Sequence, residues 1–147
     1  NNNQLIIHDG ANLKGVSIEL NGDNCLLEIG ENCVIGENCF FSCRESETKL
    51  VIGNECMFSR NVKLMTSDGH DILRDGKRIN PAKSIYIGTH VWLADNVTVL
   101  KGVTVGNDSI VGINSTVTKS LEANTVAAGN PARVIQTSTD WRDALTY

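Results

Sequence analysis

The chain has 147 residues, enough for one domain with a substantial buried core. Thirteen Lys and Arg against seventeen Asp and Glu leave a net charge of -4, which excludes a sequence-wide basic field for nucleic acid. No apolar stretch approaches the ~18 residues of a membrane span, and five cysteines, an odd count, argue against a disulfide-stapled mini-fold. The expectation is a protein with neither membrane span nor signal peptide, in a reducing cytoplasm.

Taken in chain order, the first 28 residues are irregular, although Ile7 and Leu13 keep a step of six; they are expected to form a ragged opening coil. A strict period of six then begins with IGENCV (29–34) and IGENCF (35–40). After the polar insertion CRESETKL it resumes with IGNECM (52–57) and FSRNVK (58–63). The stretch MTSDGHDILRDGKRINPAKSIY cannot enter a narrow core without burying charge, so a loop ejected from the repeat is expected over about 65–86. Six hexads follow without a break from Ile87 to Glu122. The segment AAGNPARVI then reads as a loop and final strand, and the tail 138–147 as a short C-terminal helix.

The columns of the ten hexads have physical reasons. The first position is apolar in all ten, and the fifth is a small Cys, Val or Ser in nine. Those two point inward, one bulky and one small, and fill a slim prism. The fourth is Asn, Asp or Gly in seven, the residues that enter the left-handed backbone region at least cost, so it marks a tight corner. The sixth lies between two inward residues and turns outward. Three short strands make one coil of 18 residues, and coils stack at about the 4.8 Å strand spacing. The expected class is an all-β solenoid, with stability summed over neighbouring coils.

The tandem hexads resemble those of the hexapeptide-repeat acetyltransferases. The likeness is closest over residues 50–135, through KLVIGNECMFS, TSDGH, INPAKSIYIGTHVWLADNVTVLKGVTVGNDSIVG, VTKS and AAGNPARVI. Within the family the chain looks most like bacterial O-acetyltransferases of capsular and lipopolysaccharide sugars, and like galactoside and maltose acetyltransferases. The resemblance implies a left-handed parallel β-helix over residues 1–137, acetyl-CoA as donor, and a homotrimer with active sites between subunits; no feature of the sequence indicates a metal.

It also implies roles. His70 matches the family's general base; a sugar hydroxyl attacks a thioester poorly until its proton is removed, and imidazole titrates near the working pH. Asp68, Asp71 or a backbone carbonyl would hold the other ring nitrogen. Trp92 is expected at the acceptor or acetyl pocket, at the trimer interface, or at both. Asp68 is expected on the acceptor side, and the short insertion Arg44–Glu47, by its polar character rather than by the resemblance, offers Arg44 as a further candidate there. Ala94, Gly112 and Ile113 would contact the pantetheine arm through backbone groups. Thr118, Lys119, Asn130, Pro131 and Arg133 would lie near the adenosine and phosphates, with Lys119 and Arg133 supplying the charge. LADN and GIN stand where the family more often has W-[IL]-G and GAG or GAN, so the arm's groove differs locally.

Other residues carry blander expectations. His8 and His90 sit at positions that face solvent, and three converging imidazoles for zinc are not expected. Cys33, Cys39 and Cys56 fall in the small inward column and act as compact hydrophobes. Cys25 and Cys43, 18 apart, are expected to stack, with Cys43 the one thiol worth testing for reactivity. In the loop, Arg74, Lys77, Arg78 and Lys83 outnumber Asp75 and either face solvent or meet an anion. Two alternatives remain: N-acetylation of an amino-sugar nucleotide on the same fold, and a non-catalytic binding solenoid. The latter needs regular outward Thr ladders, which the sixth column lacks.

Overall fold

The corner column sets the architecture. In the computed structural model, which describes residues 1–147, every fourth-column residue except Ser120 has φ between 56° and 80°, Glu55 and His90 included. Each corner turns the chain onto the next of three faces. The first coil comprises β1 (Gln4–Ile7), β2 (Asn12–Leu13) and β3 (Val16–Asn21), and the second β4 (Leu26–Ile29), β5 (Val34–Ile35) and β6 (Cys39–Arg44). The third is β7 (Lys49–Ile52), β8 (Met57–Phe58) and β9 (Lys63–Met65), after which a flap carries the hairpin β10 (Leu73–Arg74) and β11 (Lys77–Arg78). The fourth coil is β12 (Ile85–Ile87), β13 (Trp92–Leu93) and β14 (Thr98–Val99); the fifth is β15 (Thr104–Val105), β16 (Ile110–Val111) and β17 (Thr116–Val117). Then β18 (Thr125–Gly129) adds to the second face and β19 (Ala132–Thr137) closes it.

Parallel pairing defines the faces: β1-β4-β7-β12-β15, then β2-β5-β8-β13-β16-β18, then β3-β6-β9-β14-β17. The antiparallel pairs are β18 with β19, and β10 with β11. All ten first-column residues, from Ile29 to Val117, are buried, as are all ten of the fifth column. The second-column glycines serve close approach rather than a special dihedral: a Cβ on Gly53 would stand 2.6 Å from the carbonyl oxygen of Gly88 in the next coil. Outside the prism the corner asparagines form a ladder in which Asn38 donates to Asn61, Asn61 to Asn96 (2.9 Å) and Asn96 to Asn114 (2.7 Å).

That ladder measures the coils. Its steps are 23, 35 and 18 residues, so only the later coils have the expected length. The 35-residue step contains the flap. The 23-residue steps contain a wide corner, which in the second coil follows β6 and includes Glu45 and Glu47 at φ 71° and 68°. Two expectations change accordingly. The opening is an ordered three-sided coil, since β1 and β3 pair along their whole lengths with β4 and β6; the long third side hides its period. Cys43 pairs in register with Leu20 rather than stacking on Cys25, whose sulfur instead receives the Thr48 hydroxyl at 3.8 Å.

The five thiols are free and buried. Those of Cys33, Cys39 and Cys56 donate to carbonyls of the following coil (Gly53 3.0 Å, Ser59 3.3 Å, Gly88 3.1 Å). Burial pushes the Cys43 thiol up, away from the reactive thiolate.

No helix forms at the C-terminus. Ten residues are too few to hold a helix unaided, and the tail is fastened in another shape. Its Trp141 ring stacks on His90 at 4.1 Å, and Trp141 Nε1 donates to the His90 carbonyl at 2.8 Å. His90, expected in solvent, is therefore half-covered, with Asp108 Oδ1 2.9 Å from its Nδ1. His8 does face solvent, 2.7 Å from Glu28. The chain contains no helix long and apolar enough to cross a membrane.

Candidate active site

Two regions gather the residues singled out by sequence. The first is the flap between β9 and β12. His70 is exposed, and its imidazole makes no hydrogen bond within the chain. Neither flanking carboxylate holds it. Asp68 Oδ2 receives Lys101 Nζ at 2.7 Å and Asn80 Nδ2 at 2.9 Å, and Asp71 pairs with Arg78 at 3.2 Å. The Lys101 ammonium, then the Asn80 amide, hold the Asp68 carboxyl below its usual range.

Arg78, grouped with the loop's free cations by sequence, is instead its clamp. Its two terminal nitrogens each stand 2.7 Å from a Glu45 oxygen across the wide corner after β6, and Ser67 Oγ donates to the same carboxylate at 2.6 Å. This fork holds the Glu45 carboxyl down to about 2. Its folded value lies below its ordinary one, so the clamp's contribution is complete above pH 4.5 and disappears as the pH falls through about 2. Pepsin cleavage at the exposed Leu73 should therefore stay slow at about pH 3.5 and accelerate towards pH 2, whereas Glu45→Gln should be cut readily at both; equal rates for the two proteins at about pH 3.5 would show that the clamp does not restrain the flap.

Beside the flap lies a cleft of 360 Å³ lined by no apolar side chain. Arg44, Ser67, Gly69, Asp71 and Arg78 contribute to it. Arg44 Nε is 3.1 Å from Glu19, and its guanidinium also faces Gly69. The cleft thus adjoins His70 on both chain neighbours and suits a hydroxyl-rich molecule.

The second region is a 620 Å³ cleft on the second face, where Trp92, Ala94 and Ile113 meet Val34, Met57 and Arg60. Trp92 projects outward from β13 between Met57 and Ile110, tilted against Trp141 at 5.8 Å. Its Nε1 is buried without a hydrogen-bond partner. The amides of Ala94 and Gly112 are already donated to Val111 and Ala127 of the next coils (3.0 and 2.9 Å). Their carbonyls, and the Ile113 amide, have no partner in the chain and are the backbone groups left for a ligand. No flap residue lines this cleft, so one chain does not bring His70 and Trp92 into a common pocket.

Thr118 and Lys119 stand exposed at the corner after β17. Asn130 and Pro131 form the turn between β18 and β19, and Arg133 lies on β19. Lys119 and Arg133 have no carboxylate partner, unlike Arg44, Arg60, Arg78 and Lys101. No hydrogen bond joins the two segments. Sequence reasoning passed over Asn80, the Glu45–Arg78 fork, Lys101 and the Trp141 cover. Only Asn80 had a local signal, as a polar residue directly before Pro81; the structure buries it to 6% exposure.

No family profile matches the chain. It is 36% identical over 137 residues to the polysialic acid O-acetyltransferase of Escherichia coli O1:K1, an alignment covering 92% of this chain and 43% of that protein. The chain thus spans less than half the length of that relative. The crystal structure of the polySia-specific acetyltransferase NeuO superposes with a TM-score of 0.82 at 33% identity, covering 98% of this chain and 76% of that one. A galactoside acetyltransferase in complex with coenzyme A gives 0.70 at 26% identity, over 97% and 72%. With them the chain shares the left-handed β-solenoid. On this similarity of sequence and fold, the chain belongs to the hexapeptide-repeat acetyltransferase family.

Proposed function

We propose that the chain transfers an acetyl group from acetyl-CoA to a hydroxyl of a sugar in a surface polysaccharide or its precursor. The observation that carries this reading is the placement of His70, its imidazole unengaged, beside a wholly polar cleft on a solenoid of this family. A His70 nitrogen takes the proton of the acceptor hydroxyl as the oxygen attacks the thioester carbonyl carbon. The tetrahedral oxyanion collapses with cleavage of the C–S bond, and the imidazolium returns the proton to the departing thiolate. The products are a sugar ester and the free thiol of CoA, with no acyl-enzyme between them.

Acetyl-CoA fits the second-face cleft. Trp92, Val34, Met57 and Ile113 offer an apolar wall, and the Ala94 and Gly112 carbonyls with the Ile113 amide offer partners for a pantetheine arm. Lys119 and Arg133, neither of them paired with a carboxylate, would meet its phosphates near Thr118, Asn130 and Pro131. Arg44 and Asp68 border the acceptor side. Because the cleft beside His70 and the cleft lined by Trp92 are separate on one chain, the working site joins the flap of one copy to the second face of another, as in a homotrimer. Five reduced thiols suit a cytoplasmic enzyme.

The test combines thiol release from acetyl-CoA, across neutral and anionic sugars and oligosaccharides, with mass spectrometry of the product. A mass gain of one acetyl group that mild base removes supports the proposal. A base-stable acetyl group would assign the chain to N-acetylation of amino sugars, and no turnover with any acceptor by a protein that binds acetyl-CoA would overturn it.

A further inference from the structure

Beyond Thr66 at its root, the flap's most buried polar residue is neither an acid nor a base. Asn80 is 6% exposed and uses both ends of its carboxamide. Its Oδ1 accepts from the Ile72 amide at 2.8 Å and from Arg78 Nε at 3.3 Å. Its Nδ2 donates to the backbone carbonyl of His70 at 2.8 Å and to Asp68 Oδ2 at 2.9 Å. One side chain therefore ties the two residues flanking the flap's bend to the histidine between them. The remaining partners lead to the solenoid: Asp68 to Lys101 at 2.7 Å, and Arg78 to Glu45 at 2.7 Å. Without Asn80, the His70 backbone has no side-chain tether.

We infer that Asn80 is a positioning residue for catalysis, fixing the depth and angle at which the flap presents the His70 imidazole to the acceptor. The inference rests on the proposed role of His70 as base. It adds that the imidazole is aimed through its own main chain, because neither Asp68 nor Asp71 touches the ring. A carboxamide is suited to the task, since a single planar group offers an acceptor to the Ile72 amide and two donors, one to Asp68 and one to the His70 carbonyl. Misplacing a general base by a fraction of an ångström to 1 Å weakens the proton transfer far more than it weakens binding of a thioester held elsewhere.

The test uses the full chain with Asn80→Ala and Asn80→Asp. The Asp variant keeps the Oδ1 acceptor and replaces the Nδ2 donor that faces His70 and Asp68. Both variants are expected to lose about 10–100-fold in kcat with KM for acetyl-CoA within about threefold of the parent. His70→Ala, assayed alongside, separates the two ideas. If it keeps the parent kcat, the base assignment fails and the Asn80 inference fails with it. If it is inactive while folded Asn80→Ala and Asn80→Asp keep the parent kcat, only the inference about Asn80 fails. An equal rise in acetyl-CoA KM with unchanged kcat, or failure of both variants to fold, would make Asn80 an element of the scaffold and also overturn it.

Discussion

His70→Ala is expected to lower kcat by about 10²–10⁴ while leaving the melting temperature and acetyl-CoA affinity within error of the parent. The separation of effects follows from where the side chain sits. The imidazole is exposed and makes no hydrogen bond within the chain, so its removal deletes no contact of the fold. Exposed substitutions of that kind change stability by about 0.5 kcal/mol or less. The tether of Asn80 to His70 runs through the backbone carbonyl and survives the substitution. Acetyl-CoA is assigned to the second-face cleft, which no flap residue lines. What is lost is the group that removes the hydroxyl proton during attack. Thiol release with the best acceptor, beside a coenzyme titration followed by Trp92 and Trp141 fluorescence, measures both quantities. A folded His70→Ala protein turning over at the parent rate would remove the base from the mechanism.

The repeat was legible because a prism leaves its columns little freedom. Ile29, Ile52 and Val105 face inward at every first position, and the left-handed corners extend even to Glu55 and His90, residues that do not favour that region unaided. The coil length was not legible wherever a corner carries extra residues. Glu45 and Glu47 widen the turn after β6 without disturbing the inward columns on either side, so a count of eighteen set Cys43 in register over Cys25, whereas it pairs with Leu20. The site was half legible. His70 could be named from a family pattern, but what holds the flap could not, because Glu45 meets Arg78 across 33 positions and Lys101 meets Asp68 across another 33. Such pairs come together only after the coils stack. The tail misled for a related reason: Trp141 has a partner 51 positions away in His90, and that contact outweighs any local helical preference.

Phe58→Ala tests whether the solenoid stands on its inward column. Phe58, in β8, is 1% exposed and meets Phe41 of the adjoining face edge-on, with ring centroids 5.8 Å apart at 83°. The two are the largest fully buried side chains in a prism otherwise filled mostly by Ile, Leu, Val and Cys. Truncation leaves a void that neighbouring coils cannot close without giving up their own backbone ladders, since Phe58 lies between the Ile35 and Leu93 levels. The expected cost is about 3–5 kcal/mol, which at about 2–4 °C per kcal/mol for a chain of this size lowers the melting midpoint by roughly 6–20 °C. The edge-to-face pair itself accounts for about 0.5–1.5 kcal/mol, the coupling expected in a double-mutant cycle with Phe41→Ala. A melt at constant protein concentration checks both values. Since coil stability is shared between neighbours, the loss also reaches β9, from which the flap departs, so Phe58→Ala should lose activity at temperatures where His70→Ala remains folded. A midpoint unchanged by Phe58→Ala would mean that the stacked coils draw their stability from the backbone ladders and corner asparagines instead of the packed interior.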